Sequence, residues 1–320
     1  MNTHEEDCAH RYNLNVGVRL KENHMQKITY ILTLLFVISL SSNLYSQTSQ
    51  DQNLNILVIG AHPDDPDIRV GGTAYKWAQQ GHNVVLVSVT SGNAGHHELS
   101  ADQLERARRE EARRAGEVIG AKYVVLDIDD GKLMPTYENR LKIIRLIREH
   151  KADIVITHRP YDYHPDHRYT GQLVLDAAYM VTVPTIVPHI PHLESNPMFL
   201  YMSDRFTQPI GFKPDVCVDI DDAVEKKLDM IHQHTSQMYE WLPYNRGILD
   251  QVPEGDSERR EWMAERRRGG FSADPYRDKL IELYGRQRGT RINYAECFQD
   301  SEYGTRLTEA NRNHYFPFFD

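Results

Sequence analysis

Cysteine is scarce: the chain of 320 residues carries only Cys8, Cys217 and Cys297. That is too few and too scattered for a disulfide scaffold or an all-cysteine zinc site. Glycine and proline, at 19 and 15 copies, are at ordinary levels, so collagen-like and low-complexity architectures drop out. Positive charge is also short. Lys and Arg number 37 against 46 Asp and Glu, a formal charge of -9. That balance lacks the cationic excess with which a general nucleic-acid binder neutralises phosphates. Histidine, by contrast, is plentiful at 16 copies, and the question is where the imidazoles cluster.

A long apolar run is missing as well. Residues 1–25 are polar, then Met25-Gln26-Lys27 leads into an apolar stretch from Ile28 to Leu40, followed by Ser41-Ser42-Asn43. A spanning helix needs roughly 20 apolar residues, and this run is shorter and is interrupted by Thr29, Thr33 and Ser39. A short basic region, a brief apolar core and a small residue at Ser46 have the layout of a secretory signal peptide. Residues 1–46 are therefore read as a polar leader plus signal, with Met25 as the translation start and cleavage near Ser46; an uncleaved anchor and a buried helix are the lesser readings. No Cys follows the run, so no lipid-anchored N-terminus is expected. The expected mature protein is exported, periplasmic or secreted, with no stable membrane span after processing. Whether Cys217 and Cys297 pair is left open by their spacing.

The body alternates short apolar runs with helical patterns. Asn55–Gly60, Asn83–Thr90, Tyr123–Ile128, Asp153–Thr157 and Asp215–Ile220 read as strands. Helices are expected over Gly71–Gln80, Ala101–Ile119, Tyr137–His150, Arg168–Met180 and Asp221–Gln237. Strands separated by helices define an α/β class with a mostly parallel sheet covered on both faces. Ligands bind such sheets beyond the carboxyl ends of the strands. After Tyr239 the alternation fades. Ser257–Arg268 mixes both signs of charge and is most simply a solvated helix, with phosphate binding the lesser reading.

Two clusters occupy strand ends. The first strand runs into Ala61-His62-Pro63-Asp64-Asp65-Pro66-Asp67, and the fourth leads to His164-Pro165-Asp166-His167. Imidazoles and carboxylates in this combination suit zinc, whose catalytic sites use three protein ligands and keep a position for water. A spacing of three places His62 with Asp65, and His164 with His167, on one side of a helical turn. Caps and turns also favour Asp and Pro. One such cluster would read that way; two at equivalent strand ends point to chemistry.

Here the sequence resembles the PIG-L/LmbE-like family of zinc-dependent de-N-acetylases, which act on N-acetylglucosamine-type substrates. The family's AHPDDxE pattern matches Ala61–Asp67 with Asp67 in place of Glu, followed by Gly71-Gly72-Thr73. Thr90–Gly95 fits the T-x-G-E-x-G-like loop with Asn93 for Glu, Arg108, Glu111, Ala115 and Gly120 fit the R-x-x-E-x-x-x-A helix and its stop, and Tyr163–Arg168 fits the second motif.

The resemblance implies a Rossmann-like three-layer domain over residues 50–240; residues 241–320 lie outside it and are read as a C-terminal extension packed on that domain. It implies one Zn2+ (or another divalent metal) held by His62, Asp65 and His167, with Asp64 as general base. His164 would stand near the reacting carbonyl as a charged imidazole oriented by Asp166. The expected substrate is a small N-acylated sugar or glycoconjugate, and the expected reaction is amide hydrolysis by metal-activated water. A metal-bearing carbohydrate-binding protein without turnover is the alternative, disfavoured because Asp64 and His164 are both present. A dinucleotide-dependent oxidoreductase is disfavoured because Gly60-Ala61-His62-Pro63-Asp64 is no G-x-G-x-x-G turn.

Arg108, His96 and Arg168 are the candidate substrate contacts, with Arg159 a further one. Asp67 is read as favouring a helix N-terminus more than as a partner of the metal ligands. His189 and His192 lie in a proline-rich loop that would serve as a lid, and His158 would line the pocket. His232 and His234 are read as surface residues, and Trp77 and Trp241 as packing.

Overall fold

The computed structural model describes residues 53–319; the proposed leader and signal lie outside the described residues. β1 (Asn55–Gly60) is buried along nearly its whole length because its alternate side chains enter two different cores. Ile56 and Val58 pack with Val70, Ala74 and Trp77 on one face of the sheet. Leu57 and Ile59 pack with Ile143, Ile147 and Leu173 on the other. The same logic makes β2 (Asn83–Thr90) and β4 (Ile154–Thr157) mostly apolar and β-branched, whereas β3 (Lys122–Ile128), at the sheet edge, is half-buried and carries Lys122 and Asp127.

The sheet has seven strands in the order β3-β2-β1-β4-β5-β7-β6. β1 to β5 (Met198–Met202) run parallel, and β7 (Ala295–Gly304) pairs antiparallel with both β5 and β6 (Val216–Asp219). The chain leaves β1 toward β2 and β3, then returns to β4 on the other side of β1. That reversal opens a crevice between the carboxyl ends of β1 and β4, where both His-Pro-Asp motifs emerge.

The helices are α1 (Asp65–Gln79), α2 (Ala101–Ile119), α3 (Tyr137–Glu149), α4 (Pro165–Ala178), α5 (Val224–His232), α6 (Asp256–Arg267), α7 (Arg277–Gly289) and α8 (Glu309–Tyr315). α1 and α4 start inside the motifs, earlier than the sequence pattern places them. In each, a proline stands in the first turn, where its missing N–H costs nothing, and Asp carboxylates favour the helix start. Two glycines allow the close packing this needs. A Cβ at Gly60 would lie 2.6 Å from Asp65 Cβ, and one at Gly171 would lie 2.5 Å from the His158 carbonyl oxygen. Among the described residues no helix is long and apolar enough to cross a membrane.

The segment after Tyr239 enters the sheet itself. β7 is held between β5 and β6, and Cys297 on β7 forms a disulfide with Cys217, its register partner on β6. The final aromatics Phe316 and Phe318 pack on Trp77, whose indole N–H donates to the Tyr315 carbonyl at 2.9 Å. Trp77 is therefore core, as its sequence context suggests.

β7 also carries a buried charge. Glu296 accepts from the backbone N–H of Gly72 (2.9 Å) and Thr73 (2.7 Å) on α1 and from Lys227 Nζ on α5 (2.6 Å). Both side chains are almost fully buried, at 1% and 2% exposure. Glu296→Ala strands an ammonium and two amides, and we expect it to cost about 3–5 kcal/mol, the scale for breaking one side of a buried pair. Urea unfolding checks this; the double replacement Lys227→Met/Glu296→Leu should regain much of the loss, because no charge is then left alone.

Candidate metal centre and active site

β1 ends at Gly60, and the chain turns so that His62 and Asp65 face the start of α4. His62 Nδ1 lies 3.1 Å from His167 Nε2 and 3.5 Å from Asp65 Oδ2. His167 Nε2 lies 3.4 Å from the same Asp65 oxygen. All three side chains are buried. Tetrahedral ligands at about 2.0–2.1 Å from a zinc ion are separated by about 3.3 Å, so the three donor atoms already stand at the edge length of such a set. Two imidazole nitrogens and one carboxylate oxygen are also the donor types zinc takes. The residues present fit a divalent metal.

The surroundings orient each of these side chains. Asp65 Oδ2 accepts from the backbone N–H of Ala61 (3.0 Å) and His62 (2.8 Å). Burial opposes its ionisation, but His167 and His158 hold it well below the usual carboxylate range. His62 Nε2 faces Asp130 Oδ1 at 3.1 Å and Asp166 Oδ2 at 3.5 Å. Against the effect of burial, Asp130, Asp166 and Asp65 lift that imidazole well above its ordinary value. His167 Nδ1 stands 3.1 Å from Asp162 Oδ1. Each histidine thus has a carboxylate behind it, the arrangement that fixes the tautomer and ring orientation of metal-binding imidazoles. His158 stacks on His167 with ring centroids 4.2 Å apart, and its Nε2 is 3.2 Å from Asp65. Burial and the neighbouring His167 push His158 down to about 4, so it is neutral near pH 7.

Asp64 precedes Asp65 at the N-cap of α1, yet its side chain makes no capping hydrogen bond. It is buried, and its charge is felt by Arg108, His234 and Arg267. A carboxylate placed beside the donor set and not spent on the helix is free to handle a proton.

His164 departs from expectation. Its Nδ1 accepts the backbone N–H of Asp166 at 3.2 Å. The Asp166 carboxylate turns away, accepting the Gly131 N–H at 2.7 Å and facing His62. Burial first, then the positive character of His62 and His167, lowers the His164 pKa. The ring is thus oriented through Nδ1 by a backbone amide and not by a hydrogen bond to the Asp166 carboxylate, whose charge still acts on it against the effect of burial.

The expected substrate contacts are largely engaged elsewhere. Arg108 is buried, donating to Gly95 O at 2.9 Å and to Gln237. His96 Nε2 meets Glu240 Oε2 at 2.8 Å while its Nδ1 accepts from Glu98 and Leu99 N–H groups. Arg168 donates to the carbonyls of Asp162 (2.7 Å) and Tyr163 (3.0 Å). Arg159 is clamped by both oxygens of Asp204 at 2.6 Å and by Ile210 and Phe206 carbonyls. Asn93 organises the Asp129-Asp130 turn, donating to Asp129 Oδ1 at 2.7 Å and accepting the Asp130 N–H at 3.0 Å. The proline-rich loop is no lid: α4 carries the chain about 20 Å from the motif, and Arg148 grips the loop there through carbonyls such as Met180 (2.9 Å) and Val183 (2.8 Å).

His234 is a further correction. It is buried, not on the surface, with Nε2 3.2 Å from Asp67 Oδ2, which also accepts from the Tyr123 hydroxyl at 3.0 Å. Asp67 therefore does more than favour a helix start: it ties α1 to β3 and to the segment that follows α5. Sequence reasoning also passed over Asp130 and Asp162. Both carried a signal, since Asp130 follows the end of β3 and Asp162 stands two residues before His164.

Three donors that fit a divalent metal, with an uncommitted acid beside them at the switch point of a parallel sheet, mark a candidate hydrolytic metal centre. Residues 57–178 match the family model for GlcNAc-PI de-N-acetylase. The chain is 34% identical over 208 residues to the diacetylchitobiose deacetylase of Thermococcus kodakarensis, covering 60% of this chain and 75% of that one. It is 26% identical over 203 residues to the 4-oxalmesaconate hydratase of Pseudomonas putida, covering 60% and 78%. The solved structure of the 4-carboxy-2-hydroxymuconate hydratase of Pseudomonas putida superimposes with a TM-score of 0.60 at 23% identity, covering 80% of this chain and 98% of that one, which establishes the shared fold. The chain belongs to the PIG-L family of de-N-acetylases.

Proposed function

We propose that the protein is an exported zinc hydrolase that removes an N-acetyl or related N-acyl group from an amino-sugar substrate. The observation that carries this reading is the convergence of His62 Nδ1, Asp65 Oδ2 and His167 Nε2 within 3.5 Å of one another beside the uncapped Asp64. The likeness to a deacetylase at 34% identity supports the amide as the bond attacked. A divalent metal held by these residues would polarise water and the acyl carbonyl.

The chain's own groups supply the proton movements. Asp64 takes a proton from the attacking water and returns it to the departing amine nitrogen. His164, with Nδ1 occupied by the Asp166 amide, directs an Nε2–H donor at the acyl oxygen as negative charge develops there. Export is supported by the apolar stretch after Met25 and by the Cys217–Cys297 disulfide, a bond that persists in oxidising compartments.

The hydratase relative favours a second reading, in which the same centre adds water to a carbon–carbon double bond. Metal analysis followed by two assays separates them: acetate release from N-acetylated sugars, and loss of conjugated-diene absorbance from unsaturated polycarboxylates. We expect one zinc per chain and acetate release only. Diene consumption without acetate would replace the deacetylase reading with hydration.

A further inference from the structure

Beside the metal centre lies a cavity of about 540 Å³, lined by Arg69, Arg205, Arg266 and Arg267 with Phe206 and Phe271 among its walls. Its position is set by α1: Ile68 and Arg69 stand one turn beyond Asp64 and Asp65, about 6 Å along the axis. On the other side, the Phe206 ring is 6.2 Å from Tyr163, whose ring is 5.7 Å from His167. The ring contacts Phe206–Tyr163–His167 thus link a wall of the cavity to the metal centre.

The charge of this cavity is uncompensated. Neighbouring cations on the same elements have carboxylate partners: Arg260 with Glu225 and Asp229, Arg268 with Glu225, and Lys227 with Glu296. Among the described residues, Arg69, Arg205, Arg266 and Arg267 have none. Arg69 reaches only the Ser203 carbonyl at 3.2 Å, Arg266 lies over the Trp262 ring at 4.1 Å, and Arg267 points a guanidinium nitrogen at Met238 Sδ. Glu296 also lines the cavity, but Lys227 neutralises it at 2.6 Å. In a chain that is acidic overall, a recess with four unpaired guanidinium groups is a concentrated positive field. Burial pushes Arg267 down, Asp64 resists this, and Arg246 and Arg69 add to it, so this guanidinium is held at an electrostatic cost that an anion would relieve, while Arg205 and Arg266 stand exposed at the rim.

We propose that this cavity binds an anionic group of the substrate, making the physiological substrate an N-acylated sugar that bears a carboxylate, phosphate or sulfate. Guanidinium groups hold such oxyanions through charge-assisted, often bidentate hydrogen bonds, and the two phenyl walls suit the apolar face of the ring between the two groups. The inference rests on the deacetylase reading and narrows it, separating this chain from one built for a neutral disaccharide.

The test is acetate release by the zinc-loaded protein from N-acetylglucosamine, its 6-phosphate, its 6-sulfate and N-acetylmuramic acid. At least one charged compound should exceed the neutral sugar by ~30-fold or more in kcat/KM, chiefly through KM, as expected for two charge-assisted contacts. Which charged sugar leads distinguishes phosphate, sulfate and carboxylate. Arg267→Met should collapse the charged-to-neutral ratio toward one, and Arg267→Lys should restore part of it. Equal rates for charged and neutral sugars would overturn the anion site and leave the deacetylase reading standing. If no sugar releases acetate, the deacetylase reading and this substrate assignment fail together. Calorimetric titration with inorganic phosphate then tests the cavity alone: binding lost in Arg267→Met keeps an anion site, and no binding removes it.

Discussion

Asp64→Asn is expected to lower acetate release by about 10²–10⁴-fold, the usual contribution of a positioned general base, while the protein keeps its metal. Asn matches Asp in shape but cannot take a proton. The fold should hardly notice, because Asp64 does not cap α1 through its side chain. Its neighbour behaves differently. Asp65 Oδ2 accepts the Ala61 and His62 amides and stands within 3.5 Å of both imidazole donors, so Asp65→Asn should lose metal as well as turnover. The pair of adjacent acids thus divides into a proton carrier and a ligand, and the two variants tell them apart. Measuring kcat together with metal content after dialysis decides the matter. Full turnover in Asp64→Asn would sink the assignment, and metal loss in that variant would move Asp64 into the ligand set.

That both acids stand at the crevice was legible in the sequence because they lie in one short motif after a buried strand. The same holds for most of the parallel sheet. β1, β2 and β4 announce themselves as apolar runs ended by turn signals, since burial on both faces leaves no room for polar alternation. β7 escaped notice for a physical reason: it carries Glu296 and Asp300 at buried positions, and their partners Lys227 and Arg306 neutralise them. A buried ion pair erases the apolar signature on which strand recognition depends. β5, Met198-Phe199-Leu200-Tyr201-Met202, follows an irregular stretch instead of a helix, so it fell outside the strand–helix rhythm. His234 is the counterpart within the site. Its partner Asp67 lies 167 positions earlier, and a histidine at a helix end next to polar residues looks exposed until the tertiary contact is known. The group that orients His164 was out of reach in the same way, because which Asp166 group faces the ring depends on the backbone at the α4 cap.

The second large effect falls on the donor set. His167→Ala removes Nε2 and leaves two donors, His62 Nδ1 and Asp65 Oδ2. Catalytic zinc sites use three protein ligands, so we expect the variant to lose its metal on dialysis and its turnover to fall to background. His62 then faces Asp65, Asp130 and Asp166, with the His164 ring 4.6 Å away. Asp162→Asn is the informative comparison. Its oxygen stands 3.1 Å behind His167 Nδ1, so the amide keeps the volume while weakening the hold on the ring's tautomer. Loss of such a partner costs roughly 10–100-fold in metal affinity or activity, and Asp130→Asn behind His62 should fall in the same range. Background turnover for His167→Ala with an intermediate loss for Asp162→Asn is the order that the geometry requires. Competition with a chelator of known zinc affinity measures it. Wild-type affinity in His167→Ala would exclude that residue as a ligand, and wild-type affinity in Asp162→Asn would leave its carboxylate no part in orienting the imidazole.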